Sequence, residues 1–163
     1  MTTTTIPTRA TLRYHAIPAA DLARYRATLH DHFGNALISR ALAEGDSSPC
    51  RACLRVAGPG EHVLLLALRP FRTPGPYAET GPVFIHTEPC AELEPGFPSA
   101  FLVRPLVLRG YDEAGAIARA VVAEPGEAEA WIAATLGDAR IAFVHARNVA
   151  YGCYNFAITR DAG

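Results

Sequence analysis

Glu61-His-Val-Leu-Leu-Leu-Ala-Leu68 carries the strongest structural signal in the chain. This run is too apolar for a strand with one face in water, because surface strands alternate polar and apolar residues. It therefore predicts a strand at the centre of a sheet.

The segment that follows, 69–82, is rich in proline and glycine. Six of its fourteen residues are Pro or Gly, which predicts irregular structure. Long irregular segments in compact proteins are usually functional loops or linkers. A linker is disfavoured because the apolar strands on its two sides, 61–68 and Val83 to His86, need each other for burial. We therefore interpret 69–82, the Pro-Gly loop, as one wall of a site.

Periodicity and turn residues predict the remaining elements. The first helix opens at Pro18, carries its apolar face at four positions ending with Phe33, and stops at Gly34; the second stops at Gly137. The predicted strands are Thr11–Ile17, 35–43, Phe101–Tyr111, Ala116–Ala123, Ile141–Arg147 and Gly152–Arg160, and the second helix is Glu127–Leu136. For 35–43 a helix is the alternative.

These elements predict an α+β fold with two helices and a mainly antiparallel sheet of six to seven strands. With 163 residues the chain fits one domain. We predict a flexible N-terminal tail over 1–10 and a single α+β domain over 11–163.

Composition limits the partners and the compartment. Half of the residues are apolar, 19% are charged, and the formal net charge is -1, so no overall positive charge attracts nucleic acid or an anionic membrane. The N-terminus lacks the charged start and apolar stretch of a signal peptide, and no apolar run reaches 18 residues. We predict a cytoplasmic protein with no nucleic-acid or membrane partner.

Lysine is absent, and all fifteen basic residues are arginine. A Schiff base with pyridoxal phosphate, a lysine nucleophile and a P-loop each require a lysine amine. These classes are therefore excluded, including pyridoxal phosphate as a cofactor.

Three cysteines and one histidine have spacings typical of metal ligands. Cys50-x-x-Cys53 can hold one metal ion from a tight turn, and His86 and Cys90 add an imidazole and a thiolate. Together they predict a Cys₃His site for zinc. Thiol redox chemistry ranks below this, because the motif does not open a helix after a strand. Packing as small buried hydrophobes is about as plausible for Cys50 and Cys53 and is favoured for Cys153.

Polar side chains crowd the predicted hairpin after residue 143. His145 is a candidate for proton transfer, and Arg147 is a candidate clamp for a carboxylate or phosphate. Asn148 and Tyr151 are candidates for orienting a substrate. Taken singly, each is as well explained by a structural role, but their number favours a site.

Two glutamates complete the candidates. Glu79 lies in the Pro-Gly loop, and Glu88 is predicted to share a strand face with His86, where a carboxylate suits general acid–base chemistry. A solvated surface role is the alternative for both. The sequence contains no motif of the familiar hydrolases, zinc proteases, dinucleotide-binding folds or EF-hands.

Five blocks of sequence resemble a known family: Pro49–Leu54, Arg69–His86, Arg109–Tyr111, His145–Asn148 and Tyr151–Cys153. They occur in matching order in the domain-of-unknown-function family numbered 1203. The resemblance implies a stand-alone bacterial domain and carries over no catalytic residues, because the family has no established activity.

Two hypotheses of function follow, and the first ranks slightly ahead, because a cluster of Arg, Asn and His is easier to explain in a pocket than on a plain surface. In the first, the protein is an enzyme for a small anionic molecule, with a pocket between the Pro-Gly loop and Arg147. In the second, it is a zinc-stabilised binding module without catalysis. A metal-free ligand-binding protein with buried thiols is a third alternative. The number of protein ligands on the metal separates the first two, since a catalytic site keeps one position open.

Overall fold

The computed structural model describes residues 12–162, so the predicted tail over 1–10 lies outside the described residues. The described chain is α+β with antiparallel pairing throughout its strand ladders, as predicted. Its elements are β1 (Leu12–His15), α1 (Ala19–Thr28), β2 (Ile38–Ala41), β3 (Ser48–Pro49), β4 (Val56–Ala57), β5 (His62–Leu68), β6 (Gly81–His86), a 3₁₀ helix (Ser99–Phe101), β7 (Leu106–Tyr111), β8 (Ile117–Ala123), α2 (Ala128–Leu136), β9 (Phe143–Arg147) and β10 (Tyr154–Arg160).

The prediction of one sheet with six to seven strands is wrong. The strands form a five-stranded sheet in the order β1-β10-β9-β7-β8, a three-stranded sheet β2-β5-β6 and a two-stranded hairpin β3-β4. The difference arises because the first strand pairs with the last, and β7 pairs directly with β9, although β8 and α2 lie between these two strands in the sequence. Such long-range pairing is not encoded in local periodicity.

The described chain divides into two compact units. Unit 1 contains residues 12–15, 70–79 and 95–162, which hold the five-stranded sheet and α2. Unit 2 contains 16–69 and 80–94, which hold α1, the three-stranded sheet and the hairpin. That residues 11–163 form one domain stays a prediction.

β5 is the middle strand of its sheet, as predicted. Val63 and Leu66 are at most 3% exposed, and β6 pairs with β5 from Val63↔His86 to Leu68↔Gly81. The two apolar strands around the Pro-Gly loop therefore do bury each other. The loop itself is irregular, and its residues 70–79 belong to unit 1.

The first helix is shorter than predicted. It begins after Pro18 but ends at Thr28, where Leu29 turns into the left-handed region at φ 54°. The carboxylate of Asp31 then accepts hydrogen bonds from the backbone N–H groups of Phe33 (2.9 Å) and Asn35 (3.0 Å). These bonds satisfy the backbone outside a helix, so Leu29 and Phe33 are about half exposed rather than buried.

In unit 1, α2 begins and ends close to its predicted bounds and packs on the five-stranded sheet. Ile132 and Leu136 of the helix are buried, as are Leu108 and Val144 of the sheet. The predicted strand 101–111 begins later, at Leu106, because Ser99–Phe101 is a 3₁₀ turn. No helix among the described residues is both long and apolar enough to span a membrane.

Candidate metal centre

Cys50 and Cys53 lie on the turn of the β3-β4 hairpin in unit 2. The turn is closed by two backbone bonds, from Cys50 N–H to Arg55 O (2.8 Å) and from Leu54 N–H to Cys50 O (2.9 Å). Leu54 adopts φ 56°, a left-handed conformation that costs a non-glycine residue about 1–2 kcal/mol. Burial of its side chain, which is 2% exposed, offsets that cost.

The hairpin turn is fixed to the end of β6. Arg51 N–H donates to Phe84 O (2.9 Å), and His86 N–H donates to Cys50 Sγ (3.2 Å). The loop after His86 is held in turn by the Arg26 guanidinium of α1, which donates to the carbonyl oxygens of His86 (3.1 Å) and Glu88 (3.3 Å). These contacts bring the second predicted ligand pair to the first.

All four predicted ligands meet: the ligand atoms of Cys50, Cys53, His86 and Cys90 lie within 4.8 Å of one another. Cys50 Sγ and Cys90 Sγ are 3.9 Å apart, and Cys53 Sγ is 3.6 Å from His86 Nδ1. A tetrahedral zinc ion with bonds of about 2.3 Å to sulfur and about 2.0 Å to nitrogen separates these pairs by about 3.8 and 3.5 Å. The cluster could therefore hold a metal ion after small movements.

A carboxylate that was not among the predicted site residues lies beside the ring of His86. His86 Nδ1 faces Cys53, whereas Nε2 lies 3.3 Å from Glu61 Oε1. Glu61 is itself held by a hydrogen bond from Gly58 N–H to its Oε2 (2.7 Å). Glu88, predicted to share a strand face with His86, is exposed and lies beyond the end of β6, so that prediction is wrong.

The thiols differ in their protonation. A hydrogen bond from the Cys53 thiol, supported by the backbone N–H groups of His86 and Ala52, lowers the pKa of Cys50 to about 4 despite burial. Donation to Cys50 and burial raise the pKa of Cys53, while burial and the Cys50 charge raise that of Cys90. One thiolate among protonated thiols means that metal binding must release protons.

One side of the cluster borders a cleft of about 450 Å³. Cys53, His86 and Cys90 line it together with Arg55, Glu61 and Glu88. Cys50 is fully buried, whereas Cys90 is half-buried. His86, which is also partly exposed, and Cys90 are therefore the ligands on the solvent side.

A second polar cluster lies in unit 1 and includes two predicted site residues. Arg147 Nη1 donates to Glu79 Oε2 (3.0 Å) and to Gly152 O (3.1 Å). Arg109, which the sequence analysis did not propose as a site residue, donates to Glu79 Oε1 (2.8 Å). One carboxylate from the Pro-Gly loop is thus shared by two guanidinium groups.

His145 occupies an apolar position in unit 1. Its ring centroid is 4.9–5.0 Å from those of Phe71, Tyr111, Phe143 and Tyr154, and the residue is 1% exposed. Burial, reinforced by the charges of Arg147 and Arg109, lowers the pKa of His145 to about 3. The imidazole is therefore neutral at pH 7, which argues against its proposed proton transfer near neutral pH.

The other predicted residues of this hairpin stabilise its turn or face solvent. Asn148 accepts a hydrogen bond from Asn155 Nδ2 (3.2 Å) and exchanges backbone bonds with Cys153 and Gly152. Tyr151 is 89% exposed. Cys153 is half-buried and is not part of the Cys₃His cluster.

Comparison with known protein families gives one match. A sequence model of the family described as "Protein of unknown function (DUF1203)" matches residues 47–160, which is more than two thirds of the chain. The matched segment includes all four residues of the cluster. No curated protein and no solved structure matches the chain.

Proposed function

The chain belongs to the DUF1203 family, as its motifs predicted, and we propose that it is a zinc-binding protein whose Cys₃His site stabilises the fold without catalysing a reaction. The observation that carries this proposal is the meeting of four potential protein ligands within 4.8 Å. Three thiolates and one imidazole suit zinc, since calcium and magnesium take oxygen ligands.

The ligand count favours the zinc-stabilised module over the enzyme, which the sequence hypothesis ranked slightly ahead. A catalytic zinc site holds three protein ligands and leaves the fourth position to water or substrate. Here Cys50, Cys53, His86 and Cys90 supply all four. The enzyme hypothesis also loses support from His145, because its pKa is lowered to about 3.

The surroundings of the cluster suit the anionic group that a zinc ion forms with three thiolates. Zn²⁺ with three thiolates carries a net charge of -1, and the Arg26 guanidinium lies against the loop that contains Cys90. Glu61 beside His86 Nε2 corresponds to the carboxylate–histidine–zinc arrangement that orients metal-bound imidazoles.

Elemental analysis tests the proposal on protein purified without a histidine tag. We expect about one zinc per chain in the wild type and in Cys153→Ser, whose thiol lies outside the cluster, and none in Cys50→Ser/Cys53→Ser. Metal-free wild-type protein that remains folded would refute the proposal and favour the metal-free alternative.

Cobalt substitution separates a structural from a catalytic site. In a closed site, Co²⁺ should give a tetrahedral thiolate spectrum that does not change when azide or cyanide is added. A spectrum that shifts with these small ligands would show an open coordination position and restore the enzyme hypothesis.

A further inference from the structure

The guanidinium of Arg147 is buried in unit 1 with only part of its hydrogen-bonding capacity used. Its side chain is 5% exposed, and Nη1 donates to Glu79 and to Gly152 O. Nε and Nη2 are buried and have no hydrogen-bond partner among the described residues. Leaving buried donors of a charged group unpaired is costly, so this edge favours an acceptor.

The unpaired atoms define the shape of that acceptor. The N–H groups of Nε and Nη2 point the same way from one edge of the planar guanidinium. This edge matches the two oxygens of a carboxylate or phosphate and binds them through parallel hydrogen bonds. Glu79 uses Nη1, so an anion at the Nε–Nη2 edge does not have to displace it.

The local charge also favours an anion. Arg109 and Arg147 share the single carboxylate of Glu79, which leaves one positive charge in this group of three. The neighbouring His145, paired with Arg109 in the β-sheet register, is neutral because burial and the two arginines lower its pKa to about 3. The Glu79 side chain is 50% exposed, so solvent contacts this carboxylate at the Pro-Gly loop, while the Nε–Nη2 edge of Arg147 is covered.

We propose that the Nε–Nη2 edge of Arg147 binds the carboxylate or phosphate group of a small ligand beside the Arg109–Glu79 pair. The site lies wholly in unit 1, and its residues are separate from the Cys₃His cluster of unit 2. Anion binding and zinc binding can therefore fail independently of each other.

Titration calorimetry with the full chain tests this site. The probes are acetate, benzoate, inorganic phosphate and phenyl phosphate, each compared with chloride at the same ionic strength. We expect one saturable site, and the four probes distinguish a carboxylate ligand from a phosphate ligand. Zinc is measured in the same samples, so that loss of the metal is not mistaken for loss of the anion site.

Variants identify the residue responsible. Arg147→Lys keeps the charge but loses the bidentate edge, so affinity should fall about tenfold or more. Arg140→Lys is the control, because Arg140 is an exposed arginine of the same unit that pairs with Asp138. Glu79→Gln should bind the anion more tightly, because the local charge rises.

Two results would overturn the proposal. One is the absence of saturable binding in both the wild type and Glu79→Gln. The other is unchanged affinity in Arg147→Lys. If Arg147→Lys does not fold, Arg109→Gln serves instead, because the Arg109 side chain is 26% exposed. This variant must weaken binding while Glu79→Gln strengthens it.

Discussion

Glu61 lies next to the one nitrogen ligand of the Cys₃His cluster and is fixed in place by the turn that precedes β5. Its carboxylate can accept the Nε2–H of His86 and so hold the ring with Nδ1 towards the sulfurs. This neighbour of His86 was not evident from the sequence, because Glu61 and His86 are 25 positions apart and become neighbours only through the β5–β6 pairing.

Glu61→Gln is therefore expected to weaken zinc binding about 10- to 100-fold, since outer carboxylates typically contribute that much to metal affinity. The measurement is competition with a chelator of known affinity. Glu88→Gln is the matched control, because Glu88 is an exposed carboxylate lining the same cleft. Equal loss in both variants would contradict an orienting role for Glu61.

His145 makes a prediction about pH. Its pKa is about 3 in the folded chain and near 6.5 when exposed in the unfolded chain. Between these values the unfolded chain binds a proton that the folded chain does not. Stability therefore falls as pH drops below about 6.5, by up to about 1.4 kcal/mol per pH unit from this group.

His145→Phe should remove that part of the acid sensitivity, because phenylalanine keeps an aromatic ring at this position and does not titrate. Denaturant unfolding between pH 4 and 7 measures the effect, with the exposed His30→Gln as control. The same pH slope in wild type and His145→Phe would show that His145 is not the titrating group.

At the scale of elements, the packing of α2 on β7 depends on a glycine. A Cβ atom added at Gly110 would lie 2.9 Å from Thr135 Cγ2 and 3.5 Å from Ile141 Cγ2. The first distance is too short for two carbon atoms, so the helix and the strand are in close contact at this point.

Gly110→Ala is expected to destabilise the protein by about 1–3 kcal/mol, the usual cost of overpacking. Thr135→Ser removes the clashing methyl group and should recover part of that loss in the double variant. Gly75→Ala serves as the control, because a Cβ there meets nothing within 4 Å. Unfolding midpoints are measured for the wild type, the two single variants, the double variant and the control. Strictly additive effects in the double variant would contradict a direct clash.

The β3–β4 hairpin shows how a short element can be decisive. Each strand has only two residues, which is too little to signal in a periodicity pattern. The Cys-x-x-Cys spacing was nevertheless readable, because it reflects the local geometry of one turn. The helix end at Thr28 was not readable, since it depends on the carboxylate of Asp31 and on a left-handed leucine.

At the scale of the whole molecule, metal binding should be coupled to folding. A ligand that binds only the folded state adds about 1.4 kcal/mol of stability for each tenfold rise in its free concentration above Kd. A chelator should therefore lower the unfolding temperature of the wild type, and added zinc should restore it. Cys50→Ser/Cys53→Ser should respond to neither.

Hydrogen exchange identifies the part of the chain that the bound metal stabilises. Backbone amides of Cys50 and Leu54, which close the metal-binding turn, should lose protection when the metal is removed. The amides of β9, in the five-stranded sheet of unit 1, provide the internal reference. Unchanged protection of the turn in the presence of chelator would contradict a structural role of the metal.

Local patterns were enough to predict the α+β class, most element positions, the exclusion of lysine-dependent chemistry and the four residues that meet in the Cys₃His cluster. These features depend on local spacing and on which side chains are present. The folded chain was needed to establish the division into three sheets, the pairing of β1 with β10, and the contacts of Glu61 with His86 and of Glu79 with Arg109 and Arg147. These features were out of reach because strand pairing joins residues tens of positions apart, and burial then determines which charged groups pair.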